Sequence, residues 1–246
     1  RQLIAECVGR SLEEEFPARQ AEHGKVALRV DGLSHRGTFS DVSFEIREGE
    51  VLALCGLVGS GRSSVSQAIF GALQPVSGRV TVNGVEGPFG SPLEAMTAGI
   101  ALVPEDRRRQ GLLLARPIRE NLTLSHRADA ATFGLISASR ERDLARRRLS
   151  LCSIKSAGTE AAAATLSGGN QQKLLLARWL DRPYSVMILD EPTRGVDVGA
   201  KAEIYQLINS VASRGTAILM ISSDLPEAIG MADRIAVMCR GRMTGM

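Results

Sequence analysis

Apolar and polar residues alternate over positions 25–33, KVALRVDGL, and again over 41–50, DVSFEIREGE, with Gly32 and Gly49 as punctuation. Each stretch predicts a half-buried β-strand, because successive side chains of a strand point to opposite faces. The next run, VLALCG at 51–56, is apolar throughout, as in a strand covered on both faces of a parallel sheet. It leads into a glycine-rich stretch and then into 63–73, SSVSQAIFGAL, whose apolar residues fall at helical spacing. A further strand is expected at 78–85, GRVTVNGV, and a short helix at 91–99, SPLEAMTAG, with Ser91 as its cap and Gly99 as its stop.

From about Pro117 to Leu180 the pattern is helical and charged, most plainly in SRERDLARRRLSLC at 139–152, with no strand signal. Short apolar runs return with VMILD at 186–190, AILMIS at 217–222 and RIAVMC at 234–239. The helix-like stretches 201–213 and 225–233 separate them. Strands alternating with helices predict a parallel α/β sheet, so the helical middle is expected to be an insertion into one α/β core. No internal repeat is visible. The first two dozen residues predict a short amphipathic helix and a polar linker.

The 246 residues, 44% hydrophobic with a formal charge of +3, fit a globular chain of one large domain or two small ones. So small a charge does not by itself argue for nucleic acid or anionic lipid. Two basic clusters, Arg107–Arg109 and Arg146–Arg148, are expected on the surface, although Arg107–Arg109 also suits a phosphate or a partner contact. The four cysteines, Cys7, Cys55, Cys152 and Cys239, form no metal or redox spacing. Cys55 and Cys239 lie in strand-like runs and are expected to pack as small hydrophobes, in a reducing compartment. The first sixteen residues are no signal peptide, and no apolar run reaches the ~20 residues that span a bilayer. The chain begins without methionine and ends just after a strand-like run, as an excised fragment would.

Three stretches carry chemistry. GLVGSGRSS, Gly56 to Ser64, has the spacing of a phosphate-binding loop, with Arg62 where a lysine is usual. A tight turn between strand and helix points backbone N–H groups at one spot, and the helix N-terminus adds partial positive charge. Gly56, Gly59 and Gly61 supply the permissive backbone, Ser60 is small, and Ser63 and Ser64 open the helix, Ser63 offering a hydroxyl to Mg²⁺. The second stretch, SVMILDEP, ends a buried strand in two acids. Asp190 is placed to hold Mg²⁺ and Glu191 to polarise an attacking water. In the third, LSGGNQQKLLLARWL, Ser167, Gly168 and Gly169 form a second anion-binding helix start. An ordinary turn or strand end explains either of the first two taken alone; a cap explains Ser167 in the third, but not the paired glycines and the Gln171-Gln172-Lys173 that follow.

Together, in this order and spacing, they resemble the ATP-binding cassette family over nearly the whole chain after the linker. RGVDVGAK is similar to that family's D-loop, with Asp197 as its aspartate. The resemblance implies a phosphate-loop NTPase core with a parallel sheet, a small antiparallel β subdomain and an inserted α-helical signature subdomain at about 113–180. It places the nucleotide-binding domain at 24–246 and a linker at 1–23. It also implies ATP and Mg²⁺ as cofactors.

Several positions depart from the common pattern. Asn170 stands where the signature usually has glutamine, Glu105 where the Q-loop glutamine stands and would ligate Mg²⁺, and Ser223 where the switch histidine stands. No tyrosine follows the first strand, and His35 is the only ring nearby. The combination is similar to the second cassette of the fused ATPase subunits of bacterial monosaccharide importers, of the ribose, galactose and xylose type. In that family two cassettes pair head to tail, each nucleotide lying between one phosphate loop and the other signature. The resemblance therefore implies a degenerate site on Arg62 and Ser223, and a signature, Ser167 to Asn170 with Asp197, that completes the partner's site. Expected partners are the first cassette or a second copy, a membrane permease and, indirectly, a sugar-binding protein, at the cytoplasmic face of the cell membrane; no nucleic acid is expected. A non-hydrolysing interaction module is the alternative, and a cassette acting on ribosomes or DNA a more distant one.

Overall fold

Satisfying the backbone of the apolar runs produces two sheets. The computed structural model describes residues 16–17, 23–132 and 135–246. In chain order come β1 (Val26–His35), β2 (Phe39–Arg47), β3 (Val51–Gly56), α1 (Arg62–Ile69), β4 (Ser77–Val82), β5 (Val85–Gly87), α2 (Pro92–Thr97) and β6 (Ile100–Val103). Then follow a π-turn at Arg107–Gly111, α3 (Ile118–Thr123), β7 (Ala131–Thr132), β8 (Leu135–Ile136), α4 (Ala138–Leu151) and α5 (Gly168–Ala177). The chain closes with β9 (Val186–Asp190), α6 (Val198–Ala212), β10 (Ala217–Ser222), α7 (Leu225–Met231), β11 (Arg234–Cys239) and β12 (Arg242–Gly245). Two compact units result: Arg1–Val103 with Pro183–Pro192 and Ile208–Met246, and Pro104–Arg182 with Thr193–Leu207.

In the first unit, the alternating stretches form an antiparallel sheet of order β2-β1-β4-β5. The continuous runs form a six-stranded sheet, β12-β11-β3-β10-β9-β6, parallel except for the edge strand β12. Every residue of β9 and β10 is buried, and so is β3 up to Gly56, which is why these strands show no alternation. β6 is a strand that the sequence pattern does not announce, being four residues at the edge beside β9. Ser91 caps α2 as expected, its Oγ accepting from Glu94 N–H while Glu94 Oε2 accepts from Gly90 N–H. Of the expected linker at 1–23, only residues 16, 17 and 23 are described; the predicted helix and Cys7 lie outside the described residues. Phe16 lies against Gly230, and the Pro17 carbonyl accepts from Asn209 Nδ2 at 2.8 Å.

The second unit is mostly helical, with α3, α4 and α5 packed on one another over Ile118, Leu122, Ala145 and Leu174. It also contains the two-residue pairing β7–β8, too short to leave a strand signature. The surface reading of Arg146–Arg148 is corrected here. Arg148 is 1% exposed, its Nε donating to Asp181 Oδ2 at 2.7 Å and its Nη1 to the Leu122 carbonyl. Facing inward on α4, it joins helices through a satisfied guanidinium where a hydrophobe would be expected. Arg178 is buried too, bonding the carbonyls of Asn121 and Gly111, and burial together with the Arg148 charge pulls its pKa down to about 10. Cys239 is a second correction: Cys55 and Cys152 are buried, but Cys239 ends β11 in an exposed position.

His126 yields a pH prediction. Burial, reinforced by Arg182 and opposed by Asp129, pulls its pKa from 6.5 to about 4. A depressed histidine means that the unfolded chain takes up a proton, as pH falls through 6.5, that the folded chain refuses until about 4. This histidine therefore contributes a loss of stability in that window, about 2 kcal/mol between pH 7 and pH 5. Urea unfolding at both values should show the unaltered chain losing about 2 kcal/mol more than His126→Phe, since groups common to both proteins cancel in that difference; equal changes in the two would assign the effect elsewhere.

Candidate functional site

In the first unit, β10 lies between β3 and β9 in parallel register, Cys55 opposite Ser222 and Asp190 opposite Ile221. The three carboxyl ends therefore emerge side by side, where open α/β sheets bind ligands. β3 delivers the loop Gly56–Ser64, β9 delivers Asp190 and Glu191, and β10 delivers Ser223. Ser63 Oγ donates to Asp190 Oδ1 at 3.2 Å, Arg62 Nη1 lies 3.5 Å from Glu191 Oε1, and Ser223 Oγ donates to Glu191 Oε2 at 3.0 Å. The structure thus brings together six side chains singled out from three distant stretches: Ser60, Arg62, Ser63, Asp190, Glu191 and Ser223. Ser64 follows on α1, half-buried.

The loop has positive φ at Gly56, Gly59 and Gly61, at 155°, 83° and 98°. Gly241 N–H donates to the Ser60 carbonyl at 3.0 Å and ties the loop to the β11–β12 turn. Next to it is a cavity of about 380 Å³ lined by His35, Arg36, Thr38, Phe39, Arg240 and Gly241. His35 Nδ1 shares a hydrogen bond with Thr38 Oγ1 at 2.9 Å, and the ring stacks on Phe39, so two rings line this cavity where the sequence reading named His35 alone.

Burial pushes the Asp190 carboxyl up to about 6, with the Glu191 charge adding to the rise and the Ser63 hydrogen bond and Arg62 opposing it. A hydroxyl and a carboxylate this close suit a small hard cation that takes its remaining oxygens from phosphate and water. Among the described residues no group of three or more His, Cys, Asp or Glu makes a closed metal cage. Two buried polar atoms in the loop, Ser60 Oγ and Arg62 Nη1, have no hydrogen-bond partner. Such orphans fit an oxygen-rich anion, so the residues present suit a Mg²⁺-nucleotide.

The second unit holds the other set. Ser167 caps α5, Asn170 Nδ2 donates to Ser167 Oγ at 3.0 Å, and Asn170 Oδ1 accepts from Lys155 N–H at 3.1 Å. A Cβ on Gly169 would sit 2.5 Å from Ala200 Cβ, and one on Gly168 3.1 Å from Arg107 Nη2. Asp197 Oδ1 accepts from Ala200 N–H at 2.9 Å. Arg107 donates to the carbonyls of Arg194 and Gly195 at 3.2 Å each, clamping the turn before Asp197 against the start of α5. Sequence reasoning left Arg107 open between phosphate, partner contact and surface; geometry makes it a positioning residue, and nothing in the run of arginines marked it out. Glu105 pairs with Arg194 in the same unit.

Comparison with known proteins supplies the family and the fold class. The family model described as ABC transporter matches residues 39–194. The chain belongs to that family. It is 49% identical over 244 residues to the ribose import ATP-binding protein RbsA 1 of Streptomyces avermitilis, covering 99% of this chain and 47% of that protein. It is also 49% identical over 241 residues to the ribose import ATP-binding protein RbsA of Rhodococcus jostii, covering 98% and 48%. The chain spans about half the length of the curated relatives it matches. A nucleotide-free ATP-binding cassette from an ABC transporter superposes with TM-score 0.76 at 22% identity, over 89% of this chain and 90% of that one. The cassette MJ0796 bound to ADP and Pi gives 0.75 at 21%, over 88% and 96%. At such identity these two establish the fold: an α/β cassette.

Two glycines of the loop separate strain from collision. A Cβ on Gly56 would collide with the Met238 carbonyl oxygen and lie 2.8 Å from Ser60 Oγ, whereas one on Gly59 meets nothing within 4 Å. Gly56→Ala should cost about 2–4 kcal/mol and weaken MgATP binding more than tenfold. Gly59→Ala should cost about 1 kcal/mol, from its left-handed backbone alone. Denaturant unfolding and calorimetric titration measure both; equal costs would refute the close packing at Gly56.

Proposed function

We propose that this cassette is one ATP-binding half of a bacterial sugar-import ATPase, with a weak site of its own and a signature that completes its partner's. The relatives' names, ribose import ATP-binding proteins, support the import reading and a monosaccharide cargo. Ser60, Arg62 and the backbone N–H groups of the loop would hold the phosphates, while Ser63 and Asp190 would hold Mg²⁺. Bound Mg²⁺ would neutralise charge building on the phosphate oxygens. Glu191 would orient and polarise the attacking water.

The observation that carries the reading of a weak site is the setting of Glu191. Its two oxygens face Arg62 and Ser223, groups that stand where the family usually has a lysine and a histidine. A serine hydroxyl is short and uncharged, and a guanidinium is broad and planar where an ammonium is compact. Losing one well-placed transition-state donor costs roughly a hundredfold in rate, so slow hydrolysis follows even with Glu191 present.

Ser167 to Asn170 with Asp197 would face a nucleotide on the first cassette of the same subunit or on a second copy. Among the described residues no helix is long and apolar enough to cross a membrane. Work at the cytoplasmic face of the inner membrane would therefore go through a permease, with a sugar-binding protein acting on its far side.

MgATP binding and phosphate release should be measured on this chain beside Glu191→Gln. Saturable binding with slow turnover, abolished in the variant, is expected. Turnover comparable to a two-site transporter ATPase would overturn the weak-site reading. Binding without turnover in either protein would favour the non-hydrolysing alternative.

A further inference from the structure

Arg62 and Glu191 form a buried ion pair, 6% and 8% exposed, inside the first unit. The pair is incomplete. Arg62 Nη1, the atom nearest Glu191, makes no hydrogen bond, and neither does Ser60 Oγ, two residues before it in the loop. Buried polar groups are nearly always satisfied, so two orphans in one loop point to an acceptor rich in oxygen.

The two partners differ in freedom. Glu191 sits at φ +49°, which side chains other than glycine rarely adopt, and its N–H donates to the Ile221 carbonyl at 2.9 Å. Ser223 holds its second oxygen. The carboxylate is thus fixed by backbone and neighbour. The guanidinium stands on a longer stem with several rotatable bonds and presents five donors, so it is the partner able to move.

We propose that Arg62 alternates between two anions, Glu191 and the nucleotide's phosphate, and so acts as a latch that nucleotide releases. Paired with Arg62, Glu191 has its Oε1 facing a guanidinium instead of a water. When the guanidinium passes to phosphate, Oε1 is freed to orient water. The weakness of the site then has a regulatory side: the group that grips phosphate also restrains the base until phosphate arrives. This inference rests on the ATP-binding reading above.

Competition between two anions for one buried cation has a measurable signature. Neutralising Glu191 should tighten nucleotide binding, and only through Arg62. Removing a carboxylate also relieves its direct repulsion of phosphate, but that relief does not need Arg62. Calorimetric titration with MgAMP-PNP on the unaltered chain, Glu191→Gln, Arg62→Met and the double variant separates the two. A gain of roughly tenfold from Glu191→Gln in the unaltered background, against less than twofold in the Arg62→Met background, is expected.

An equal gain in both backgrounds, or none in either, would overturn the latch while leaving ATP binding intact. No saturable binding in any of the four would sink the ATP-binding reading and the latch with it. Should Arg62→Met fail to fold, the Arg62 Nε–H resonance supplies a second measurement, assigned by its loss in Arg62→Lys. It should shift when MgAMP-PNP is added to the unaltered chain, and a resonance that stays in place while nucleotide binds would equally overturn the proposal.

Discussion

The parallel pairing of β3, β10 and β9 is the constraint on which the rest of the first unit depends. Each of these strands is buried on both faces, so its backbone groups have only neighbouring strands as partners, and slipping the register would leave them unmet. Register therefore fixes which residues reach the carboxyl edge together. Because Cys55 pairs with Ser222 and Ile221 with Asp190, the glycine loop, Ser223 and the Asp190–Glu191 pair emerge at one level. Residues more than a hundred positions apart meet because backbone hydrogen bonds leave them no other arrangement.

What was legible in the sequence followed the kind of signal each feature leaves. Continuous apolar runs announced β3, β9 and β10, and alternation announced β1 and β2, because burial on two faces or one face writes itself into composition. The glycine loop, the paired acids and the Ser-Gly-Gly start of α5 were readable because backbone geometry and charge restrict those positions to few residue types. β6 and the β7–β8 pairing were not readable, since two to four residues carry no period. Arg148 was misread for a different reason: an arginine counts as polar in any pattern, yet a guanidinium satisfied by Asp181 and a carbonyl can be buried. Arg107 was invisible as a clamp because its partners are main-chain carbonyls, which any sequence supplies.

The contacts of Glu191 with Arg62 and with Ser223 were not named from the sequence; they came from the structure. The resemblance implies which groups stand at the lysine and histidine positions. Only coordinates say that both face the same carboxylate. That matters for the chemistry, because two substitutions that look independent in a motif act on one group. A wide planar cation on one oxygen and a short hydroxyl on the other define a single altered environment for the candidate base.

The signature stands on separate foundations. Asn170 is satisfied by Ser167 and by the Lys155 amide, Gly169 is packed against Ala200, and Arg107 braces the turn before Asp197. All of these lie in the second unit, whose interior is fixed by the Arg148 and Arg178 bonds. Among the described residues, the bonds just named involve neither Arg62, Glu191 nor Ser223. A substitution in the phosphate loop removes none of these bonds directly, and contacts without shared partners contribute independently. Under the proposed reading, such separation would give a physical route to asymmetry between paired cassettes: one site would drift from efficient hydrolysis while the surface proposed for the partner keeps its bonds.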